Sequence, residues 1–311
     1  MALINQIEVA DDRLRPHVLE TPLIPAPSLG IGTQLKLENL QHTGSFKARG
    51  ALNRILEQDQ DAATHGIVAA STGNHALAVT WAANQASVEE VLIVAPTSIT
   101  DAKRSKLAAQ GVELKIHGQD CIEAELHARA ISEETGRCFI SPYNDLLVVA
   151  GQGTVGAELL RQTDHLDVVF IAVGGGGLIS GTATMLKAHR PGIEIIGCLP
   201  SQSPAMLECV RAGRVIDVQT HPTLSDGTAG GVEPGAITLE LCQELVDDWI
   251  LVEEPEIAEA MALVESHHDM KIEGAAGVAV AAFLKSKDRW QDCQVAIVIC
   301  GGNVSEATQG S

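Results

Sequence analysis

The chain has 311 residues, of which 45% are hydrophobic and only 3% aromatic, so Ala, Val, Leu and Ile must fill its core. Its formal net charge is −19, which repels nucleic acid and acidic membrane surfaces unless a local basic patch exists, and the sequence offers none. The 29 Gly follow no short repeat and the seven Cys include no C-x-x-C pair, which argues against collagen-like structure, a disulfide framework and a thiolate zinc site. No apolar run reaches the roughly 18 residues that suggest a membrane span. Met1–Asp12 has no basic stretch leading into an apolar one, so a cytoplasmic location is expected.

The first predicted strand is Gln34–Leu37. The following segment, from Glu38 to Gly50, holds a glycine-containing turn and leads into a helix predicted over Ser45–Glu57. Lys47 falls in its first turn, where the helix dipole and Arg49 are both expected to disfavour another positive charge. A lysine that is partly neutral near pH 7 can attack an aldehyde. By spacing alone, the commoner reading is an ordinary surface lysine. Next, a strand over Ile67–Ala70 runs into Ser71-Thr72-Gly73-Asn74-His75 and a helix over Asn74–Ala86. Backbone N–H groups at such a turn suit a carboxylate. Plain N-capping by Ser71, Thr72 or Asn74 accounts for the turn as well, and His75 by itself is more often structural. Strands over Val91–Ala95 and Val112–Ile116 alternate with helices over Asp101–Gln110 and Cys121–Glu134. Ser141–Asp145 contains Pro142, lacks periodicity and reads as a hinge.

A helix over Gly153–Gln162 precedes the strand Val168–Val173, which ends in Gly174-Gly175-Gly176-Gly177-Leu178 and a helix over Ile179–His189. Four consecutive glycines usually make a flexible linker. Here they join a buried strand to a helix, where bare backbone N–H groups can approach a phosphate. The pattern matches neither G-x-G-x-x-G nor a Walker loop. A strand over Ile193–Leu199 follows, and most of Asp217–Gly235 is polar or rich in Gly and Pro, so it reads as a functional loop. Helices are predicted over Ile237–Val246, Ile257–His268 and Ala275–Lys285. The last strand, Gln294–Cys300, runs into Gly301-Gly302-Asn303, which alone is a tight turn. This alternation predicts an α/β protein with mostly parallel sheets, and ligands at the carboxyl ends of the strands.

Together, Gly44-Ser45-Phe46-Lys47, Ser71-Thr72-Gly73-Asn74-His75, Gly174–Leu178 and Gly301-Gly302-Asn303 give the chain a specific likeness. It resembles the fold type II (tryptophan synthase β-like) pyridoxal-phosphate enzymes, and within them the serine/threonine dehydratase and serine racemase family. The resemblance runs from Thr21-Pro22-Leu23 to Asn303. It implies two domains, each with a mostly parallel sheet flanked by helices. The larger would comprise residues 1–59 and 146–311, and the smaller, mobile one residues 60–145. Lys47 would carry the cofactor as a Schiff base and remove the substrate Cα proton. Phe46 would pack beside the pyridine ring, and Asn74 would hydrogen-bond the ring's 3-hydroxyl. Ser71, Thr72, Gly73, Asn74 and His75 would hold the substrate carboxylate. Gly174, Gly175, Gly176, Gly177 and Leu178 would bind the phosphate. Glu273 matches a family position near the cofactor, although capping the helix predicted from Ala275 is its plainer role. The loop Ser225–Gly231 would line the substrate side.

Three departures matter. Cys300 stands where the family usually has Ser facing the pyridine nitrogen, and a thiol is the weaker partner. Leu199 and Ala205 flank Pro200-Ser201 where metal-dependent relatives have acids, so that cation site is expected to be absent and no metal is predicted. Thr72 carries a hydroxyl on the face where racemases of the family use Ser, so racemisation stays open beside simple carboxylate orientation. The implied reaction is loss of water and ammonia from a small β-hydroxy amino acid, L-threonine or L-serine, giving a 2-oxo acid. Serine racemase, hydroxyaspartate dehydratase, the dehydratase of hydroxyectoine breakdown and an inactive pyridoxal-phosphate binder remain as alternatives. A homodimer is expected. The chain ends soon after Asn303 without the C-terminal regulatory domain of biosynthetic threonine dehydratases, so feedback by isoleucine is not expected.

Overall fold

The computed structural model describes residues 2–57, 65–119 and 121–304. Among these, the strands in chain order are β1 (Leu23–Pro25), β2 (Thr33–Lys36), β3 (Ile67–Ala70), β4 (Val91–Ala95), β5 (Glu113–Ile116), β6 (Cys138–Phe139), β7 (Val168–Ala172), β8 (Glu194–Pro200), β9 (Asp248–Val252) and β10 (Val295–Val298). The helices are α1 (Leu3–Leu14), α2 (Lys47–Leu56), α3 (Asn74–Gln85), α4 (Asp101–Ala108), α5 (Cys121–Thr135), α6 (Leu146–Gln162), α7 (Gly177–His189), α8 (Ala205–Ala212), α9 (Thr238–Leu245), α10 (Glu254–His268) and α11 (Gly274–Ser286).

Two sheets result. One has six strands in the order β1-β2-β10-β7-β8-β9, and the other has four in the order β5-β4-β3-β6. Every pairing is parallel except β1 with β2. β3, β4, β7 and β10 are buried along their whole length, as parallel strands covered on both faces must be. That is why they stand out in the sequence as continuous Val/Ile/Ala runs. β10, the last strand among the described residues, lies between β2 and β7, so segments far apart in sequence build the larger sheet. The expected α/β class with two mostly parallel sheets is what the structure has. Of the expected domain limits, the 59/60 boundary and the tail beyond residue 304 lie outside the described residues.

The differences have physical reasons. α1 was not expected from the sequence. Its Leu3, Ile7, Ala10 and Leu14 form one stripe among polar neighbours, and α6 and α7 cover it. α6 starts at Leu146 rather than Gly153, with the Asp145 carboxylate accepting from Leu147 N at 2.7 Å. Glycines 151, 153 and 156 lower its intrinsic propensity, but packing requires them. A Cβ at Gly151 would stand 2.7 Å from Arg49 O and Gly50 Cα. α2 can therefore lie against α6 almost backbone to backbone. α8 and the short or half-buried strands β1, β6 and β9 also carry too little pattern to be read. The stretch 213–237 has neither helix nor strand, consistent with its reading as a loop.

Behind the start of α2 lies a closed set of charges. Arg49 donates from Nε to Glu38 Oε2 (2.7 Å), from Nη2 to Glu38 Oε1 (2.8 Å) and from Nη1 to Glu158 Oε1 (2.6 Å). Lys36 donates to Glu158, to Thr21 O (2.7 Å) and to Gln162 Oε1 (3.0 Å). Thr21 completes the set with its hydroxyl on Glu38 Oε1 at 2.5 Å. Lys36, Glu38 and Arg49 are 0% exposed and Glu158 is 2% exposed. Two cations face two carboxylates, so the cluster is neutral as a whole. It joins β2, the turn at Glu38–Leu40, α2 and α6. Losing one partner leaves an uncompensated buried charge, which costs about 3–5 kcal/mol. Arg49→Met is therefore expected to destabilise the fold by about that much in denaturant unfolding. Removing the exposed Arg289–Asp248 pair (2.7 Å) should cost no more than about 1 kcal/mol. Equal effects of the two changes would show that the buried cluster does not hold the start of α2.

Candidate active site

The carboxyl ends of β3, β7 and β10 and the amino ends of α2, α3 and α7 point to one region. The chain ends close it. Phe46 N donates to Cys300 O (3.1 Å), Ser45 pairs with Gly301, and Gly302 N donates to Gly44 O (2.9 Å). Lys47 is the first residue of α2, just after Phe46 at the N-cap position. Its Nζ donates to Pro142 O at 2.8 Å and lies 5.2 Å from the Phe46 ring centroid. Burial pulls the amine down to about 8, while Cys300, Glu125 and Glu273 pull the other way. The sequence pointed to Arg49 as a cause of this depression, and the structure corrects that. Arg49 is turned away and neutralised by Glu38 and Glu158, so desolvation of the amine is the cause.

The turn Ser71–His75 follows β3 directly. Gly73 holds the N-cap position of α3 without any side-chain cap, and Ser71 Oγ accepts from Gly73 N at 3.1 Å. The plain capping role for Ser71, Thr72 or Asn74 is therefore not what the structure has. Thr72 is half-buried. The His75 ring is buried and pinned through Nε2 to Ile140 O at 2.8 Å. Burial and the charge of Lys47 push its pKa down to about 3, so it stays neutral and acts as a fixed strut. Asn74 points across the region. Its Nδ2 donates to Glu273 Oε1 and Oε2 (2.9 and 2.8 Å), and its Oδ1 accepts from Asn303 Nδ2 (2.9 Å).

Glu273 occupies the N-cap position of α11 but makes no cap with its side chain. Its carboxyl instead faces Asn74 and the Cys300 thiol, with Cys300 Sγ 3.9 Å from Oε1. Burial raises Glu273 to about 7, against the hydrogen bond from Asn74. Cys300 is buried, and burial together with the Glu273 charge pushes its thiol well up, so it is a neutral donor.

The glycine turn after β7 forms a cradle. Gly176 has φ +84°, a left-handed conformation that a side chain would strain, and it precedes the 13-residue helix α7. A Cβ at Gly175 would fall 2.3 Å from the Tyr143 ring, and one at Gly174 would fall 3.1 Å from Thr228 Cα. Bare backbone amides at the start of α7 thus sit under Tyr143 on one side and the 225–231 loop on the other, an arrangement that suits a phosphate. Leu178, in the first turn of α7, is buried. The predicted segments therefore converge.

Several nearby residues escaped the sequence reading. Tyr143 hydrogen-bonds Glu233 N through its hydroxyl (2.8 Å), and Arg129 of α5 grips the Glu233 carboxylate. Tyr143 is the single Tyr of the chain and lies in the expected hinge, a signal that could have been used. Glu125 and Arg129 are ordinary surface residues by pattern, and only the fold turns them inward.

A family model described as pyridoxal-phosphate dependent enzyme matches residues 14–301. The chain is 41% identical over 308 residues to L-threonine ammonia-lyase of Thermotoga maritima, covering 98% of this chain and 76% of that relative. Its fold is similar to maize serine racemase, with TM-score 0.91 and 31% identity, covering 98% of this chain and 95% of the other. It is equally similar to the processed form of threonine deaminase isoform 2 from Solanum lycopersicum, with TM-score 0.91 and 31% identity, covering 98% and 91% of the two chains.

In cofactor-free protein, the Lys47 amine is expected to react with an amine-directed reagent along a pH profile centred near 8. Peptide mass spectrometry of the labelled chain measures this. A midpoint above 10 would mean that burial does not depress the amine.

Proposed function

The chain belongs to the pyridoxal-phosphate dependent enzymes, and from that premise we propose that it is an ammonia-lyase acting on a small β-hydroxy amino acid, L-threonine or L-serine. The products are a 2-oxo acid and ammonia. One observation carries the reading: an amine lowered to about 8 stands in the same region as a glycine cradle at a helix start. The residues fit pyridoxal phosphate, because that cofactor needs an amine for its aldehyde and amides for its phosphate. Lys47 would hold the aldehyde end, Gly174 to Leu178 the phosphate, and Cys300 the ring nitrogen. Phe46 would flank the ring. Asn74 would serve the ring's 3-hydroxyl, with Glu273 and Asn303 holding its amide in place.

When bound, the cofactor withdraws electrons from the substrate's Cα and so eases loss of its proton. The protein does the rest. Lys47 Nζ would take the Cα proton, and its depressed pKa leaves a larger neutral fraction near neutral pH than an exposed lysine has. The backbone and hydroxyls of Ser71, Thr72 and Gly73, with Asn74 and the fixed His75, orient the substrate carboxylate. The loop 225–231 and Tyr143 exclude water above the cradle.

A second reading is racemisation. The similarity to maize serine racemase and the half-buried hydroxyl-bearing Thr72 favour it as a side activity. The proposal also includes a homodimer in the cytoplasm. It includes a division into residues 1–59 with 146–311 and residues 60–145, the latter closing over the substrate. Among the described residues no helix is long and apolar enough to cross a membrane.

The deciding assay offers L-threonine, L-serine, D-serine, L-threo-3-hydroxyaspartate and the hydroxyectoine-derived hydroxy amino acid in parallel. It follows 2-oxo acid release and the cofactor absorbance band, with Lys47→Ala as control. Rapid 2-oxo acid from L-threonine or L-serine, lost in Lys47→Ala, is the expected result. A band with no turnover of any of the five would point to a cofactor-binding protein without this activity. Absence of any band would overturn the reading.

A further inference from the structure

The loop between α8 and α9 is held from three directions. On the side of the larger sheet, Leu224 N donates to Glu254 Oε2 (2.7 Å) and Gly230 N to Ser203 Oγ (3.2 Å). Below it, Thr228 lies against Gly174 of the glycine cradle. From the side of the smaller sheet come two ion pairs. Arg129 Nη2 of α5 donates to both oxygens of Glu233 (2.8 and 2.9 Å), and Lys103 Nζ of α4 meets Asp226 Oδ2 (3.1 Å).

The two pairs are not equivalent. Asp226 has a side chain 56% exposed, and such a pair contributes little. The Glu233 side chain is 9% exposed, and its main-chain N–H is bound to the Tyr143 hydroxyl at 2.8 Å. Tyr143 in turn packs its ring on Gly175. Glu233 therefore ties the loop to the smaller sheet's helix α5 and to the hinge at once. The Arg129 guanidinium is seated 4.3 Å over the Phe139 ring, which fixes its approach. Glu125, one turn before Arg129, lies 3.7 Å from it and competes for its charge. Burial and the Glu233 charge raise the Glu125 carboxyl to about 7, so near neutral pH it keeps much of its proton and leaves Arg129 to Glu233.

We propose that the Arg129–Glu233 ion pair is the latch that closes α5 and the 223–235 loop over Lys47, with Glu233 a positioning residue that acts through Tyr143 on the glycine cradle. The proposal rests on the reading of this region as the active site. It concerns how the substrate space is closed, not which chemistry follows. The latch sets substrate binding more than the chemical step, because Arg129 and Glu233 bond each other and Tyr143, while Lys47 Nζ bonds Pro142 O. Its loss should therefore raise KM and leave kcat nearly unchanged.

The test compares the full-length protein with Glu233→Gln, Arg129→Ala, the exchanged pair Arg129→Glu with Glu233→Arg, and Lys103→Ala. Glu233→Gln keeps the shape and the main-chain bond to Tyr143, so it serves even where a larger change fails to fold. Hydrogen exchange is measured by mass spectrometry on cofactor-loaded protein without substrate. Segments 121–131 and 223–235 should exchange at least about tenfold faster in the two single variants. The Glu233 side chain is 9% exposed and that of Arg129 35%, so the loss falls short of that for a fully buried pair. Strands β7 and β10 should be unchanged. KM for the accepted substrate should rise about tenfold or more with kcat within about threefold. The exchanged pair should restore most of both effects, and Lys103→Ala should stay within about twofold of the parent. Wild-type exchange and KM in both single variants would overturn the latch. So would loss of stability with no segment-specific exchange, or failure of the exchanged pair to restore either quantity. If no substrate turns over, the reaction assignment fails, and hydrogen exchange still decides the latch.

Discussion

A fully buried guanidinium must be matched by carboxylates, and Arg49 meets that demand by drawing Glu38 and Glu158 together behind the start of α2. Lys36 is drawn in with them. The members come from β2, the turn after it, α2 and α6, so satisfying the charges fixes those four pieces relative to one another. Lys47 lies two residues before Arg49, and its place in the cleft is inherited from this arrangement. The cluster also separates two electrostatic roles. Arg49 spends its charge inside the cluster, which leaves desolvation to hold the Lys47 amine near 8. A lysine so close to a permanent cation would otherwise owe its pKa to that cation, and Lys47 does not.

Around this anchor, the parallel sheets supply directions. Strands that run the same way end on the same side, so β3, β7 and β10 deliver a polar turn, a glycine turn and a thiol to one region. The turns use small residues because backbones must approach closely there. Tyr143 fills the space left over Gly175, and Thr228 the space over Gly174. The amine, the cradle and the carboxyl–thiol pair of Glu273 and Cys300 are thereby spread over one cleft, as a cofactor with an aldehyde, a phosphate and a ring would need. The neutral, pinned His75 and the Asn74–Glu273–Asn303 contacts stiffen the opposite wall.

The cleft is also where the two sheets meet through charge. One apolar cluster joins the two layers, with Leu14 of α1 and Ala51, Leu52 and Ile55 of α2 packed with Ile67, Ala69 and Ile93. Across the cleft, polar contacts such as Arg129–Glu233 and Lys103–Asp226 take over. Polar contacts form and break at lower cost than a packed core, which suits a site that must admit and release small molecules.

Much of this was written in local sequence. Continuous Val/Ile/Ala runs mark β3, β4, β7 and β10, because strands buried on both faces tolerate little else. The turns after three of them, with Lys47 after β2, are short contiguous motifs, so their chemistry was legible residue by residue. Other features were not. α1 has one thin apolar stripe, α6 carries interior glycines at 151, 153 and 156 that oppose a helix, and β9 lies half-exposed at an edge. Each exists because a partner distant in sequence covers it. The role of Arg49 was misread for the same reason, since Glu158 lies more than a hundred positions away. Tyr143, Glu125, Arg129 and Glu233 come from three separate segments with no motif between them. The sequence by itself determined the fully buried strands, the turns after them and the place of Lys47 at a helix start, because those depend on neighbours along the chain. Only the tertiary structure decided which charges are paired and which lie alone near that lysine, because burial and Coulomb attraction depend on distance in space.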